Sequence, residues 1–515
     1  MLTGAAPLLA RILDGGDDHR PALCGVGDAI TYGELRRQVF GVRDALVRNG
    51  MGNGDRIAIC LPKAIVTVTA ILGIVATGAT YVPLNPRLSL TQLRQILADL
   101  RPTALIAGAQ VVAALRNGVT ESKNNIPIST RLRLATIAQG GRLEFAELLA
   151  GEAPPESPTD LAVILYTSGT TGQPKGIMLT WGNIESFVDW AAETFALSPL
   201  DCLANHAPLH FDLSIFDIFC GLSRHAGVCL IDETTARFAG AVRQLIAAAG
   251  VTVWYSVPTA LVRLQERRAF EHIASLRMIL FAGEVFPVPA LRRLMRDVPA
   301  PEYVNLYGPT ETNVCTAYRL AEAPASDFDN VPIGWPCRHL DVRLLDPDGA
   351  AVAAGEIGEI CVSGPAVMHG YWGQAEATAA RRLPGRLDSY RTGDYAYDRG
   401  DGALVFVGRR DQQIKLRGHR IETLALETVL NGHPRIRDAA VVFIPDAPHG
   451  GALKVFVVPR QMRAAEAELR AFIADRLPPH YQPDRVEWLE EMPLTANGKC
   501  DRARLRSVAR LAVAP

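Results

Sequence analysis

The chain has 515 residues, 48% of them hydrophobic and 21% charged, with 53 basic against 54 acidic residues and a net charge of −1. That is enough apolar material for several cores, and it excludes a wholly disordered chain. A near-neutral balance gives no global attraction to nucleic acid or to an anionic membrane, so neither is expected as a partner.

In chain order, Met1–Leu13 has no positive charge ahead of its apolar run, and it reads as a short amphipathic helix rather than a signal peptide. Residues up to about 110 alternate helical patterns with short apolar runs such as Arg56–Leu61, the texture of parallel strands. Ala64–Pro86 carries no charge and is long enough to imitate a membrane span. Its threonines, Gly73, Gly78, Pro83 and Pro86 instead predict a buried helix, a tight turn and a short strand. Residues 111–158 show a weaker pattern and end in the loop Ala-Pro-Pro-Glu-Ser-Pro.

Strands are predicted at Leu161–Tyr166, Val228–Ile231, Val251–Tyr255 and Met278–Phe281, with helical patterns between them. This is α/β layering. From 331 to 408 short strands and glycine turns predict a β-rich subdomain. The charged segment Gly408–Gln413 then leads into a tail with its own helix and strand patterns, a small C-terminal domain. The nine cysteines include no Cys-x-x-Cys and fit neither a disulfide framework nor a zinc site. Scattered thiols favour a reducing compartment, which makes the cytoplasm the expected location.

The strongest local feature is Tyr166-Thr167-Ser168-Gly169-Thr170-Thr171-Gly172-Gln173-Pro174-Lys175-Gly176, at the exit of an apolar strand. Glycines let successive N–H groups converge on an anion, hydroxyls add donors and the lysine adds a point charge. Together they suit a polyphosphate, although the Walker spacing is absent.

This run resembles the phosphate loop of the adenylate-forming enzymes: acyl-CoA synthetases, luciferases and the adenylation domains of nonribosomal peptide synthetases. Further motifs of that superfamily follow in order. They are Gly78–Pro86, Asn305-Leu306-Tyr307-Gly308-Pro309-Thr310-Glu311, Tyr390-Arg391-Thr392-Gly393-Asp394, Gly408–Lys415 with Arg417-Gly418-His419-Arg420-Ile421-Glu422, and Pro493-Leu494-Thr495-Ala496-Asn497-Gly498-Lys499. The resemblance implies a large layered α/β domain, residues 1–410, with two mixed sheets and a small β-barrel-like subdomain at 331–408. It implies a small mobile α+β domain at 411–515, swinging about a hinge at Asp411.

The implied reaction has two halves. A carboxylate attacks the α-phosphorus of ATP, releasing pyrophosphate and forming an acyl-adenylate, and a thiol then attacks that mixed anhydride. By resemblance Thr167, Ser168, Gly169, Thr170, Thr171 and Lys175 hold the leaving phosphates. Glu311 binds Mg²⁺, with Thr310 beside it in the catalytic motif. Tyr307 stacks on adenine, with Gly308 beside it among the ATP-binding residues, Asn305 bonds the adenine amino edge, and Asp394 takes the ribose hydroxyls with help from Arg409. Lys499 bridges the substrate carboxylate and the nucleotide. Phe211 gates, and Gly418 closely approaches, a tunnel for the incoming thiol.

Asp212 sits where amino-acid-activating members carry a carboxylate for the substrate α-ammonium. A buried carboxylate needs a cationic partner, which the substrate would supply. Asp212 comes first and Lys499 closes the set, and the positions between them are Leu213, Phe216, Tyr255, Leu280, Ala282, Leu306, Val314 and Cys315. These hold no further acid or base to pair a charged side chain, so a small apolar amino acid fits. The set resembles free-standing adenylating enzymes that load L-proline onto a carrier protein, where it becomes a pyrrole-2-carboxyl thioester. The sequence carries no phosphopantetheine attachment motif after Lys499, so a separate phosphopantetheine-bearing peptidyl carrier protein is the expected partner. Other readings stay open: another small apolar amino acid, an acyl- or aryl-CoA ligase, or a noncatalytic nucleotide-binding protein. Thr423-Leu424-Ala425-Leu426 departs from the family's usual Leu-Gly-Glu-Ile at the carrier-facing helix.

Overall fold

A computed structural model describes residues 7–117, 132–137, 143–149, 158–168, 174–324, 331–409, 413–445, 451–460, 462–493 and 500–511. Two compact units separate: residues 1–86, 97–166 and 176–408 form the first, and 87–96, 167–175 and 409–515 the second.

The first unit is built on two large sheets. In one, nine strands lie in the order Trp335–Pro336, Thr316–Leu320, Glu302–Tyr307, Met278–Ala282, Val253–Ser256, Cys202–Asn205, Gly227–Leu230, Pro21–Gly25 and Asp28–Thr31. Its middle strands are parallel and its ends antiparallel. In the other, eight strands run Gly370–Tyr371, Pro174–Thr180, Leu161–Ser168, Thr80–Pro83, Arg56–Cys60, Ala104–Ala107, Leu132–Ile137 and Leu143–Leu149. A four-stranded sheet of Asp341–Leu345, Gly358–Ser363, Ser389–Asp398 and Leu404–Arg409 forms the β-rich region expected from the glycine turns.

The charge-free stretch is the buried helix Ile65–Val75 followed by the strand Thr80–Pro83, as its punctuation predicts. The helix is apolar on nearly every side because it lies inside the unit. It packs on the helix Tyr32–Arg48, whose start is fixed by a capping box: the Thr31 hydroxyl accepts from Glu34 N, and the Glu34 carboxylate accepts from Thr31 N. Contact is closest at Gly73, where a Cβ would overlap the Val42 side chain. Among the described residues no helix is long and apolar enough to cross a membrane, and no two cysteines are joined.

Two sequence expectations shift. The strand expected at Val251–Tyr255 runs Val253–Ser256, because Val251 N closes the preceding helix on Ile246 O at 3.0 Å. The weakly patterned residues after 111 include the helix Ala109–Asn117 and two antiparallel strands whose register slips between Arg133 and Ala135. That slip breaks the period-two signal.

The second unit holds the hairpin Gln413–Leu416 and His419–Glu422, and a three-stranded sheet of Ile436–Ile444, Ala452–Pro459 and Arg485–Trp488. The helices Thr423–Asn431, Glu466–Arg476 and Arg502–Leu511 accompany the sheet, which makes this unit α+β.

Candidate active site

One face of the nine-stranded sheet gathers several of the residues expected to form the pocket. Tyr255 pairs with Leu280, and Ala282 pairs with Leu306, across adjacent parallel strands. Directly paired residues share a face, as do residues two apart, so these four side chains line up together. They join Phe216, Val314 and Cys315 in one apolar cluster, whereas Trp254, Ile279 and Phe281 pack in a second cluster on the opposite face. Phe216 meets Tyr255 edge-on, with ring centroids 5.3 Å apart.

Phe216 comes from a distinctive turn. Leu213–Ile215 begins as α-helix, Phe216–Cys220 widens into a π-helical turn, and Gly221–Ser223 resumes the α-helix. Such turns recur at functional sites. Asp212 caps this segment: its Oδ1 accepts from Leu213 N at 2.9 Å and its Oδ2 accepts from the Thr310 hydroxyl at 2.6 Å. Enclosure raises the Tyr255 hydroxyl well above its ordinary pKa, and the Asp212 carboxylate adds to that. Phe211 opens the segment, its carbonyl accepting from the Ser214 hydroxyl at 2.6 Å.

Several of the residues expected to meet the nucleotide lie on the strand Glu302–Tyr307 and the turn after it. Cys315 N returns to Tyr307 O at 2.8 Å and Asn313 adopts φ 53°, closing a tight loop over residues 308–315. The loop admits only glycine at 308, because a Cβ there would overlap the Asn313 carbonyl. The Tyr307 hydroxyl donates to Asp394 Oδ2 at 2.6 Å, and burial pushes its pKa well up, with Asp394 adding to the effect. Asn305 Nδ2 donates to Pro332 O at 2.8 Å.

Asp394 is fully buried behind a bulge in the strand Ser389–Asp398. Gly393 supplies the positive φ of 73°, and its N–H donates to Glu359 Oε1 at 3.1 Å. The other Glu359 oxygen accepts from Arg391 at 2.6 and 3.0 Å. Glu359 therefore anchors the bulge that carries Asp394. It was visible in the sequence as a lone acid inside an apolar strand, although no motif marked it.

Glu311 is 1% exposed, and its Oε1 accepts from the Tyr371 hydroxyl at 2.8 Å. The Tyr371 hydroxyl lies 3.1 Å from that of Tyr390. One buried carboxylate with hydroxyl company suits a hard cation that takes its remaining oxygens from a phosphate and water. Among the described residues no group of three or more His, Cys, Asp or Glu makes an all-protein metal cage. Glu311 thus fits an Mg²⁺ that arrives with its nucleotide.

The segment Met368–Trp372 ties this acid to the phosphate-loop stem. Met368 N donates to Glu311 O at 2.8 Å, His369 N to Met178 O at 2.9 Å, and Trp372 N to Gly176 O at 2.7 Å. Gly176 leaves no room for a side chain between Ile164 and Trp372. On the incoming stem the Tyr166 hydroxyl donates to Asp99 at 2.6 Å, and the buried Arg56 guanidinium lies 4.6 Å from the Trp372 ring. Sequence reasoning missed Tyr371, Trp372 and Asp99, which carry no motif of their own.

Thr167 is the next-to-last residue of the strand Leu161–Ser168, and Lys175 is the second residue of the strand Pro174–Thr180. Gly169, Thr170, Thr171, Asp411 and Lys499 lie outside the described residues, as do the side chains of Ser168 and Arg409. Gly418 follows Arg417 in a two-residue hairpin turn, with φ of 79° and 54° respectively. Two successive positive φ angles are what a type I′ turn requires, and this accounts for the glycine locally.

The chain matches the AMP-binding enzyme family over residues 15–372, and that family's C-terminal domain over residues 425–499. It belongs to the AMP-binding enzymes and is an adenylate-forming ligase. It is 35% identical over 482 residues to an L-proline--[L-prolyl-carrier protein] ligase of Pseudomonas fluorescens, covering 93% of this chain and 94% of that one. A protein of the same description from Streptomyces coelicolor is 36% identical over 531 residues, covering 98% and 97%. Among solved structures, the amide bond synthetase McbA of Marinactinospora thermotolerans superposes with a TM-score of 0.83 at 26% identity, covering 97% of this chain and 99% of that one.

Proposed function

We propose that this enzyme activates L-proline with ATP to prolyl-adenylate and passes the prolyl group to the phosphopantetheine thiol of a separate peptidyl carrier protein. The observation that carries this reading is Asp212 close enough to Tyr255 to add to the rise that burial gives its hydroxyl pKa, on the apolar face that Tyr255, Leu280, Ala282 and Leu306 share. A secondary ammonium pairs with the carboxylate, and a compact ring fills an apolar space without stranding a charge. The two carrier-protein ligases, similar over nearly their whole length, support the same substrate and acceptor. Formation of a pyrrole-2-carboxyl thioester, in the biosynthesis of a pyrrole-containing antibiotic, is the proposed onward use. The proposed location is the cytoplasm.

In the first half-reaction Tyr307 and Gly308 flank adenine. Asn305 has its amide nitrogen engaged with Pro332, and turns Oδ1 to the adenine amino group. Asp394, with Arg409, takes the ribose hydroxyls. Thr167, Ser168, Gly169, Thr170, Thr171 and Lys175 hold the phosphates that leave. Glu311 holds Mg²⁺, which when bound neutralises phosphate charge. Thr310 fixes the Asp212 carboxylate for the amino acid, and Lys499 stabilises the charge that builds between carboxylate and phosphorus.

The domain assignment that accompanies this reading is residues 1–410 and 411–515, with Asp411 as the hinge. Rotation there would withdraw Lys499 and bring Gly418 toward the thiol path beside Phe211.

ATP–pyrophosphate exchange across the twenty amino acids tests the substrate. Proline-dependent exchange is expected, followed by loading of a phosphopantetheinylated carrier. Exchange driven by another amino acid and not by proline overturns the substrate, and loading of free coenzyme A in preference to a carrier overturns the acceptor.

A further inference from the structure

Beside the pocket lies a buried polar group that the proposed chemistry does not use. Lys63 follows the strand Arg56–Cys60 and donates its Nζ to the carbonyls of Asn205 and His206 at 2.8 and 2.9 Å. Asn205 ends the strand Cys202–Asn205, and its Nδ2 donates to Asp217 Oδ2 at 2.9 Å. Asp217, 1% exposed, is the second residue of the π-helical turn and follows Phe216 directly.

The arrangement is costly. Asn205 Oδ1 and Asp217 Oδ1 are buried and have no hydrogen-bond partner among the described residues. Enclosure pushes the Asp217 carboxyl up to about 8 and the Lys63 ammonium down to about 7. Apolar side chains of similar size would avoid these costs, since a buried polar atom without a partner forfeits its solvation. A costly group at an uncommon helical turn points to a role other than stability. The same turn adjoins Tyr255: its ring packs on Phe216, and its hydroxyl pKa is pushed up by burial, with Asp212 and Asp217 adding to the effect.

We infer that Lys63, Asn205 and Asp217 form a buried brace that holds the π-helical turn in place and, through Phe216, sets how tightly the pocket grips its amino acid. They are positioning residues. The inference rests on the reading that residues 212–216 line an amino-acid pocket.

The test uses the full chain as Asp217→Asn and as the Lys63→Met/Asp217→Asn pair. The pair removes both titratable groups together, so neither is left in the buried site without the other. KM values for the activated amino acid and for ATP are read by pyrophosphate exchange, and Tm is read in parallel. The amino-acid KM is expected to rise about tenfold, the equivalent of ~1.4 kcal/mol of binding, with the ATP KM held within about twofold. The Tm of the pair is expected to hold or rise. An unchanged amino-acid KM, or a fall in Tm as the sole effect, overturns the brace while leaving the proposed function intact. A wild-type chain that exchanges with no amino acid overturns the function and this role of the brace together.

Discussion

Thr310 donates its hydroxyl to Asp212 at 2.6 Å, joining residues 98 positions apart in the chain. One belongs to the motif that precedes the candidate magnesium ligand, and the other caps the pocket turn. On the proposed reading, the contact would keep the carboxylate aimed while a cationic amino group approaches it.

Thr310→Val keeps the side-chain volume and removes the donor. A hydrogen bond to a charged group contributes about 1.5–3 kcal/mol, so the amino-acid KM should rise roughly 10-fold or more. Asp212→Ala should abolish amino-acid-dependent exchange, because the substrate ammonium then enters an apolar site unpaired. Equal activity of the Thr310→Val variant and the wild type in steady-state exchange would dismiss the aiming role.

Tyr307→Phe retains the ring beside the proposed adenine position and removes the hydroxyl held by Asp394. Asp394 then loses one of the contacts that orient it toward the proposed ribose position, so kcat/KM for ATP should fall about tenfold. The amino-acid KM should not move. Titration of each substrate at saturating levels of the other separates the two.

Tyr371→Phe takes the hydroxyl from Glu311 and leaves the ring in its core position. The Mg²⁺ concentration for half-maximal exchange should rise several-fold, to the extent expected for an outer partner that orients a metal-binding carboxylate, roughly 10-fold. An unaltered Mg²⁺ dependence, with only Tm lowered, would make Tyr371 a packing residue.

Lys499→Ala should slow adenylation by ~10²-fold or more, as expected on losing a charge-stabilising group. Transfer of preformed prolyl-adenylate to the carrier should survive. Equal loss of both steps in single-turnover assays would remove the proposed two-position account of the second unit.

His339 stacks on Trp190 with ring centroids 5.1 Å apart, and both its ring nitrogens are buried without a hydrogen-bond partner among the described residues. Burial holds its pKa down at about 4, and Arg338 adds to this. An unfolded histidine titrates near 6.5. Between those values the unfolded chain takes up a proton that the folded chain refuses, so stability is complete above about 6.5 and declines as pH falls toward 4. At pH 5 the loss is at most about 2 kcal/mol. His339→Phe should shrink the difference in Tm between pH 7 and pH 5 by a few degrees. An identical acid limit in wild type and variant would show that other groups set it.

The layered fold and its β-rich region were legible in the sequence because parallel strands are continuous apolar runs, as at Met278–Ala282 and Arg56–Cys60. The pocket residues could be ordered by motif offset, but their common face needed the register of Tyr255 against Leu280 and of Ala282 against Leu306. Burial alone does not separate Leu280 from any other core leucine, since it is 0% exposed. Supporting groups were the least legible. Glu359, Tyr371 and the Lys63–Asn205–Asp217 brace act through contacts between distant segments, and no local spacing encodes those. The π-helical turn was also hidden, because Phe216–Cys220 has an ordinary helical composition.

The two faces of the nine-stranded sheet carry different kinds of information. On one side Trp254, Ile279 and Phe281 pack in one apolar cluster, and on the other Tyr255, Leu280, Ala282 and Leu306, the proposed pocket residues, pack in another. Because neighbours in a strand point opposite ways, the proposed pocket and the opposite core are written in alternate letters of the same strands. On that proposal, a change in volume at Ala282 would redraw the list of accepted amino acids while the packing of Phe281 on the far face stays as it was. Specificity could then drift or be redirected without the scaffold being renegotiated.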